Sequence, residues 1–475
     1  MDNGIKAGSL AGRPLFFCGI GGSGMLPLAQ IAQGLGHPVA GSDRSRDQGR
    51  TPDKFGWMES SGFSLFPQDG TGVTSPDQIL IASAAIEDTV PEVAQARALG
   101  CERLSRAELL SRMFNAAEFS VAVGGTSGKS TVTGMIAWIL AEGGHDPTVM
   151  NGAVMKNFVT PANPFASARI GRPDLFVSEV DESDGSIALY QPTIGVLLNV
   201  SLDHKSIEEL RVLFGRFVGS AGTAVINLDS TEAGYLAPKA QRRVTFGITS
   251  RNADITVDPD SIDQSELGLR AAVIDNRKRE VFPLILPMPG LHNLSNALAA
   301  IAAADAAGIR IGYATYALRS FEGLARRFDV IGTSPGGVTV IDDFGHNPEK
   351  CAATLRTLKA TSGRVIAFFQ PHGYGPLRQM GAELANTFAR ELGREDVTIF
   401  SDPVYFGGTV DRSEGSERIV ALIEQAGGHA EHIADRAECG DRIVALARPG
   451  DRIVVMGARD DTLTEFAQSI LTRLT

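Results

Sequence analysis

The sequence predicts an α/β protein of three domains, each built around a mainly parallel sheet. Three observations carry this expectation. The chain is 475 residues long, which at roughly 150 residues per domain fits three. Apolar runs of strand length alternate with helical stretches throughout, as in parallel sheets covered on both faces. A strand, a glycine-rich turn and a helix also follow one another twice, beginning at residue 15 and again at residue 119. The expected divisions, where the pattern restarts, give domains at residues 1–112, 113–319 and 320–475.

In the first domain, Leu15-Phe16-Phe17-Cys18-Gly19 reads as a buried strand and residues 25–35 as the helix after its turn. Pro38-Val39-Ala40-Gly41-Ser42 and Gln78-Ile79-Leu80-Ile81-Ala82 read as two more strands. The second domain opens with the strand Phe119-Ser120-Val121-Ala122-Val123 and a helix running to about residue 140. It continues with strands at Asp174-Leu175-Phe176-Val177-Ser178 and Ile194-Gly195-Val196-Leu197-Leu198-Asn199-Val200. Residues 283–304 carry no charge, but Pro287, Pro289, His292, Asn293 and Asn296 interrupt them. A strand, a turn and a buried helix are expected there rather than a membrane span. The third domain holds strands at Val338-Thr339-Val340-Ile341, Arg364-Val365-Ile366-Ala367-Phe368-Phe369, Val397-Thr398-Ile399-Phe400 and Arg452-Ile453-Val454-Val455-Met456.

Hydrophobic residues make up 43% of the chain and charged residues 21%, a composition that excludes a largely disordered protein. The formal net charge of −11 removes a global basic field for nucleic acid or anionic lipid, so neither partner is expected. Backbone N–H groups can still bind phosphate on an acidic protein. Cys18, Cys101, Cys351 and Cys439 lack metal or CxxC spacing, and the first residues lack an apolar signal core. Both features fit a cytoplasmic protein. Glycine is abundant, with 53 copies in 475 residues, against roughly 7% in an ordinary chain.

Two glycine loops account for part of that excess. Gly19-Ile20-Gly21-Gly22-Ser23-Gly24 follows a strand and opens a helix, and Asp43-Arg44 ends the next strand. The spacing is that of a dinucleotide fingerprint, and it also fits another diphosphate or a tight strand-to-helix turn. Gly125-Thr126-Ser127-Gly128-Lys129-Ser130-Thr131 reads as a nucleotide phosphate loop. Glycines let N–H groups converge on phosphates, Lys129 neutralises their oxygens and Ser130 offers a hydroxyl to Mg²⁺. Val123 stands where the usual spacing has a glycine. Glu179-Val180-Asp181-Glu182-Ser183-Asp184 and Asp203-His204 follow strands, where carboxylates and an imidazole reach a ligand at the sheet's carboxyl edge.

In order and spacing, these motifs resemble the Mur ligase family over nearly the whole chain. The resemblance extends through Pro289-Gly290-Leu291-His292-Asn293-Leu294-Ser295-Asn296-Ala297, Arg326-Arg327-Phe328 and Asp342-Asp343-Phe344-Gly345-His346. It also takes in Phe369-Gln370-Pro371-His372 and Met456-Gly457-Ala458. It implies an N-terminal Rossmann-like domain for a UDP-sugar, a central P-loop ATPase and a C-terminal Rossmann-like domain. The activity implied is an ADP-forming ligation of an amino acid to a UDP-linked sugar acid through an acyl phosphate, with UDP-N-acetylmuramate and L-alanine as the specific expectation. ATP and one or two Mg²⁺ ions are the implied cofactors, in a monomer or homodimer.

By the same resemblance, Gly21, Gly22, Ser23, Gly24, Met25, Ser42, Asp43 and Ser83 contact the UDP-sugar. His292, Asn293 and Asn296 recognise adenine, and Arg327 and Asp343 complete the ATP site. Ser130, Glu179 and His204 hold the metal, with Glu182 as a second-choice ligand. Lys129 and Arg327 act on the transferring phosphoryl group, and His346 positions or deprotonates the amine. His372 and Arg378 are expected at the amine substrate. The chain departs from the family pattern at Ser127 (commonly His), Ser130 (Thr), Asn347 (His), Lys205-Ser206 (an apolar–Asp pair) and Gly373 (Arg). The last removes a guanidinium suited to a carboxylate. A ligase with another acceptor, a non-catalytic nucleotide-binding regulator and an NAD(P) oxidoreductase are the alternatives.

Overall fold

The computed structural model describes residues 10, 12–83, 86–201, 205–404, 412–458, 460 and 462–474. It contains three sheets. The first consists of β1 (Leu15–Cys18), β2 (Val39–Ser42), β3 (Ser64–Phe66), β4 (Ile79–Ala82) and β5 (Glu102–Ser105), in the spatial order β3-β2-β1-β4-β5. All its pairings are parallel. Strand alternation sends Leu15 and Phe17 into one core and Phe16 and Cys18 into another, so both faces of β1 are covered. The order reverses between β1 and β4, which puts the turn after β1 at a topological switch point.

The central sheet includes β6 (Phe119–Gly124), β7 (Pro147–Met150), β8 (Ala168–Arg169), β9 (Arg172–Glu179), β10 (Ile194–Leu197), β11 (Thr223–Asn227), β12 (Arg243–Phe246) and β13 (Ile255–Val257). Their spatial order is β13-β12-β11-β10-β6-β9-β7-β8. β6 lies between parallel neighbours β9 and β10, with Val123 opposite Glu179 and Gly124 opposite Leu197. β10 ends at Leu197, earlier than the apolar run suggests, with Leu198 N–H making one more cross-strand bond to the Gly124 carbonyl of β6 at 3.0 Å. After β14 (Asp263–Gln264) and β15 (Leu269–Asp275), residues 283–304 resolve as expected into the end of β16 (Glu280–Leu286), a turn and the helix Leu291–Ala306. Among the described residues no helix is long and apolar enough to cross a membrane.

The third sheet has β17 (Asp329–Thr333), β18 (Thr339–Asp343), β19 (Val365–Gln370), β20 (Val397–Phe400), β21 (Ala430–His432) and β22 (Arg452–Gly457), ordered β17-β18-β22-β19-β20-β21. β17 is antiparallel to β18 and carries a register shift between Val330 and Gly332, an edge strand that the apolar pattern did not mark. The remaining strands are parallel.

The chain forms two compact units. One comprises Met1–Pro259, Ala272–Pro283 and Asn296–Phe321; the other comprises Asp260–Ala271, Leu284–Ser295 and Glu322–Thr475. Within the first unit, aromatic contacts tie the N-terminal and central sheets together. Phe114 packs edge-on against Phe176 and Tyr190, and Trp57 against Phe165.

Candidate active site

The loop after β1 is closed by its own backbone and by the end of β2. Gly19 and Ile20 N–H groups both bond to the Ser42 carbonyl, at 2.8 and 3.0 Å. Asp43 Oδ2 accepts from Gly21 N–H at 2.8 Å, while Oδ1 accepts from Ser45 N–H at 2.8 Å. The Asp43 carboxylate therefore shapes the loop. A Cβ on Gly21 would stand 2.8 Å from Phe55 and 3.0 Å from Asp43 Oδ2, so the position admits only glycine without rearrangement. Ser42 is fully buried, and its hydroxyl donates at 2.7 Å to Glu92, also fully buried, rather than facing the loop. Gly22, Ser23 and Gly24 lead into the helix Met25–Gly34, whose Met25 and Leu26 N–H groups bond to the Gly22 carbonyl at 3.0 and 2.9 Å and whose Pro27 has none, so the N–H groups left to a ligand are those of Ser23 and Gly24 in the loop itself. Ser83 follows β4 at the same sheet edge.

The second loop is held from both neighbours of β6. Gly125 (φ +142°) and Gly128 (φ +84°) adopt backbone conformations suited to glycine. A Cβ on Gly128 would stand 2.6 Å from Asn296 Oδ1, so Asn296 borders the loop. From beyond β10, Asn199 accepts from the Thr126 hydroxyl at 2.8 Å and Ser127 N–H at 2.9 Å, and donates to the Ser127 carbonyl at 3.1 Å. From β9, Glu179 accepts from the Ser130 hydroxyl at 2.7 Å. Glycine at 152 is what admits that carboxylate, since a Cβ there would collide with it. Asn151 Nδ2 bonds to the Ser130 carbonyl at 3.0 Å. Thr131 is buried in the first turn of the helix Lys129–Glu142.

Lys129 Nζ donates to the Gly125 carbonyl at 2.7 Å and Glu182 at 2.8 Å. Burial pulls its pKa down, but Glu182, Asp181 and Glu179 outweigh that and hold the ammonium above its ordinary value. Burial opposes ionisation of Asp181, yet Lys129 and Ser183 keep its carboxyl below the usual range. The cluster thus joins one cation to three carboxylates and a hydroxyl, hard oxygen donors that suit Mg²⁺. His204 lies outside the described residues.

In the second unit, strand register sets the loops after β18, β22 and β19 side by side, with Asp343 opposite Met456 and Gln370 opposite Gly457. Asp343 is committed to this framework: it accepts from Phe328 and Gly345 N–H groups, both at 2.8 Å, and from the Thr354 hydroxyl at 2.9 Å. Those bonds fix the segment through Arg326 (φ +60°) and Phe328 (φ +49°), backbone conformations that cost energy in non-glycine residues. Arg327 stacks its guanidinium over Phe344 at 4.8 Å. His346 packs edge-on to His372 with ring centroids 5.3 Å apart. Its Nδ1 lies 2.9 Å from the Phe344 carbonyl, an acceptor that places the proton on Nδ1 and leaves Nε2 with a lone pair. Burial, then Lys350, push the imidazole pKa down to about 3, so the ring is neutral at physiological pH.

His292 and Asn293 open the helix Leu291–Ala306; Asn293 Nδ2 donates to the Pro289 carbonyl at 2.8 Å and His292 Nδ1 lies 3.5 Å from the Thr357 hydroxyl. Arg378 is exposed on the helix Tyr374–Glu391. Gly373, at its N-cap, has φ +149°, a conformation an arginine there would adopt only with strain. Asn347 caps the helix Pro348–Lys359 through Lys350 N–H, and Ser206 forms a capping box with Glu209, which gives two departures from the family pattern local structural work.

Asn199, Asn151 and Gly152 border the phosphate loop without having been singled out from sequence. Asn199 follows an apolar run at a strand's carboxyl edge, a usable signal; the other two become visible only through contacts across the fold.

A phosphate loop braced on parallel strands, with an acidic cluster on the adjacent strand, defines a P-loop nucleotide-binding α/β protein. Its relatives are specific. The Mur ligase family catalytic domain matches residues 15–118, the Mur ligase middle domain residues 123–304, and the Mur ligase glutamate ligase domain residues 326–459. The chain is 35% identical over 468 residues to the UDP-N-acetylmuramate–L-alanine ligase of Sorangium cellulosum (strain So ce56), covering 94% of each chain. It is 34% identical over 476 residues to that of Agrobacterium fabrum, covering 96% of each. The solved UDP-N-acetylmuramate-alanine ligase of Thermotoga maritima superposes with a TM-score of 0.78 at 25% identity, over 97% of this chain and 99% of that one. The murein peptide ligase of Psychrobacter arcticus shares the fold, with a TM-score of 0.70 at 24% identity, over 98% of this chain and 99% of that one. The chain belongs to the Mur ligase family.

Proposed function

We propose that this protein joins L-alanine to the carboxylate of UDP-N-acetylmuramate, with ATP converted to ADP and phosphate, in peptidoglycan precursor synthesis. The observation that carries the reading is end-to-end similarity to ligases of that name, 35% identical over 94% of the chain, together with an intact phosphate loop and acidic cluster. The division of labour follows residues 1–112 for the UDP-sugar, 113–319 for ATP and 320–475 for the amine. Four free cysteines fit a reducing cytoplasm.

A carboxylate cannot acylate an amine directly because oxide is a prohibitive leaving group. The sugar's carboxylate oxygen attacks the γ-phosphorus, ADP departs, and the acyl phosphate is then attacked by the amine with release of phosphate. The glycine loop after β1 holds the UDP diphosphate through the N–H groups of Ser23 and Gly24, while those of Gly21, Gly22 and Met25 fix the loop's shape. Residues 125–131 wrap the triphosphate, with Lys129 exchanging Glu182 for phosphate oxygens. Ser130, Glu179 and His204 would hold Mg²⁺, with Glu182 in reserve. When bound, the ion neutralises charge on the triphosphate. His292, Asn293 and Asn296 recognise adenine, and Arg327, positioned by the segment that Asp343 fixes, stabilises the transferring phosphoryl group. His346, neutral with Nε2 free of its Phe344 bond, takes the proton from the attacking amine, beside His372.

Incubating the protein with ATP, Mg²⁺, UDP-N-acetylmuramate and single amino acids, with mass detection of the amide, tests this. Product with L-alanine at the highest kcat/KM is expected, and its absence with every amine rejects the ligase reading. Gly373 favours a second reading in which the same machinery serves a different amine, since its backbone disfavours arginine there. A peptide acceptor preferred over alanine would establish it.

A further inference from the structure

Arg106 is the first residue of the helix Arg106–Asn115, directly after Ser105, whose hydroxyl and Glu108 form a capping box. A cation in a helix's first turn opposes the macrodipole, so local helix stability does not account for it. Nor does pairing, for Arg106 has no hydrogen-bond or ion-pair partner among the described residues, although it is half-buried.

Its side chain lies across the start of a second helix. From an ideal Cβ on Gly24, Arg106 Cδ is 3.1 Å away, Nε 3.4 Å and Nη1 3.5 Å. The guanidinium therefore borders the end of the glycine loop, beside the Ser23 and Gly24 N–H groups that the loop's own bonds leave unused. Asp43, the carboxylate at the end of β2 that shapes the loop, is taken up by the Gly21 and Ser45 N–H groups and makes no ion pair with Arg106.

An unpaired planar fork of donors and two unused backbone N–H groups thus meet at the end of a glycine loop whose spacing suits a diphosphate. We infer that Arg106 is a substrate-binding residue whose guanidinium grips the diphosphate of the UDP-sugar, supplying the charge and bidentate geometry that the glycine loop's N–H groups lack. The inference rests on the assignment of that loop to the UDP diphosphate.

The test measures calorimetric binding of UDP alone to the full-length protein, beside steady-state kinetics, for Arg106→Ala, Arg106→Lys and Gly21→Ala. Arg106→Ala is expected to raise the UDP Kd and the UDP-sugar KM tenfold or more, with the ATP KM within twofold and thermal stability unchanged or slightly raised. Arg106→Lys should fall between, keeping charge but losing the fork. An unchanged UDP Kd in Arg106→Ala overturns the assignment. If UDP binding is unchanged while the UDP-sugar KM rises, the guanidinium serves the sugar's carboxylate instead, which also overturns it. Gly21→Ala separates the two levels. If it weakens UDP binding and Arg106→Ala does not, only the role of Arg106 fails; if it has no effect either, the loop's assignment fails.

Discussion

Truncating Asn199 to alanine removes the brace between β10 and the phosphate loop. The side chain makes three hydrogen bonds to Thr126 and Ser127, at 2.8, 2.9 and 3.1 Å. At about 0.5–1.5 kcal/mol net apiece they sum to roughly 3 kcal/mol. The half-buried Ser127 lets water recover part of this, leaving about 2 kcal/mol, or roughly 30-fold in kcat/KM for ATP. The backbone bond from Thr126 N–H to the Asn199 carbonyl, 3.3 Å, survives, so the loop loosens without unfolding. Asn199→Asp keeps both acceptor contacts but sets a carboxylate oxygen against the Ser127 carbonyl, and should lose at least as much as alanine. The assay is kcat/KM for ATP at saturating co-substrates, with a melting curve alongside. Activity of Asn199→Ala within threefold of wild type would refute the reasoning, because the glycines alone would then suffice to hold the loop.

Three further changes probe the remaining parts. Gly152→Ala drives a methyl into the Glu179 carboxylate and should raise the Mg²⁺ concentration for half-maximal activity about tenfold, read from a Mg²⁺ titration, with little change in melting temperature. His346→Ala should lower kcat by roughly 10²-fold; because the imidazole pKa is about 3, the ratio to wild type should stay constant from about pH 6 to 8, as pH–rate profiles would show. Burial raises the Asp342 carboxyl to about pH 6, against the pull of Arg326. An acid with a raised folded-state pKa withdraws stability as pH climbs from its unfolded to its folded value. Asp342→Asn should therefore match wild type near pH 3.5 and exceed it by up to about 3 kcal/mol at pH 7, in urea unfolding at the two pH values.

The apolar strands were legible because each is buried on both faces: β1, β19 and β22 have no exposed residue to break the run. The glycine loops were legible because their chemistry is written in consecutive residues. Glu179 was legible from its place at a strand's carboxyl edge, whereas Asn199 meets the loop only through the parallel pairing of β10 with β6, a register that no local pattern encodes. Ser42 illustrates the opposite case, since its position at the end of β2 suggested a ligand contact while its hydroxyl is bonded to Glu92, fifty residues away on the helix Pro91–Leu99. β17 escaped notice because its partly exposed, bulged pairing leaves no continuous apolar run. Gly373 read as a missing guanidinium; its positive φ adds that the backbone itself is built for glycine.

The central claim is that ATP activates the sugar's carboxylate as an acyl phosphate before the amine attacks. Turnover with UDP-N-acetylmuramate labelled with ¹⁸O in that carboxylate, followed by mass analysis of the released phosphate, tests it most directly. The account predicts one ¹⁸O from the carboxylate in each phosphate formed with the amide. Amide formation with unlabelled phosphate would contradict it.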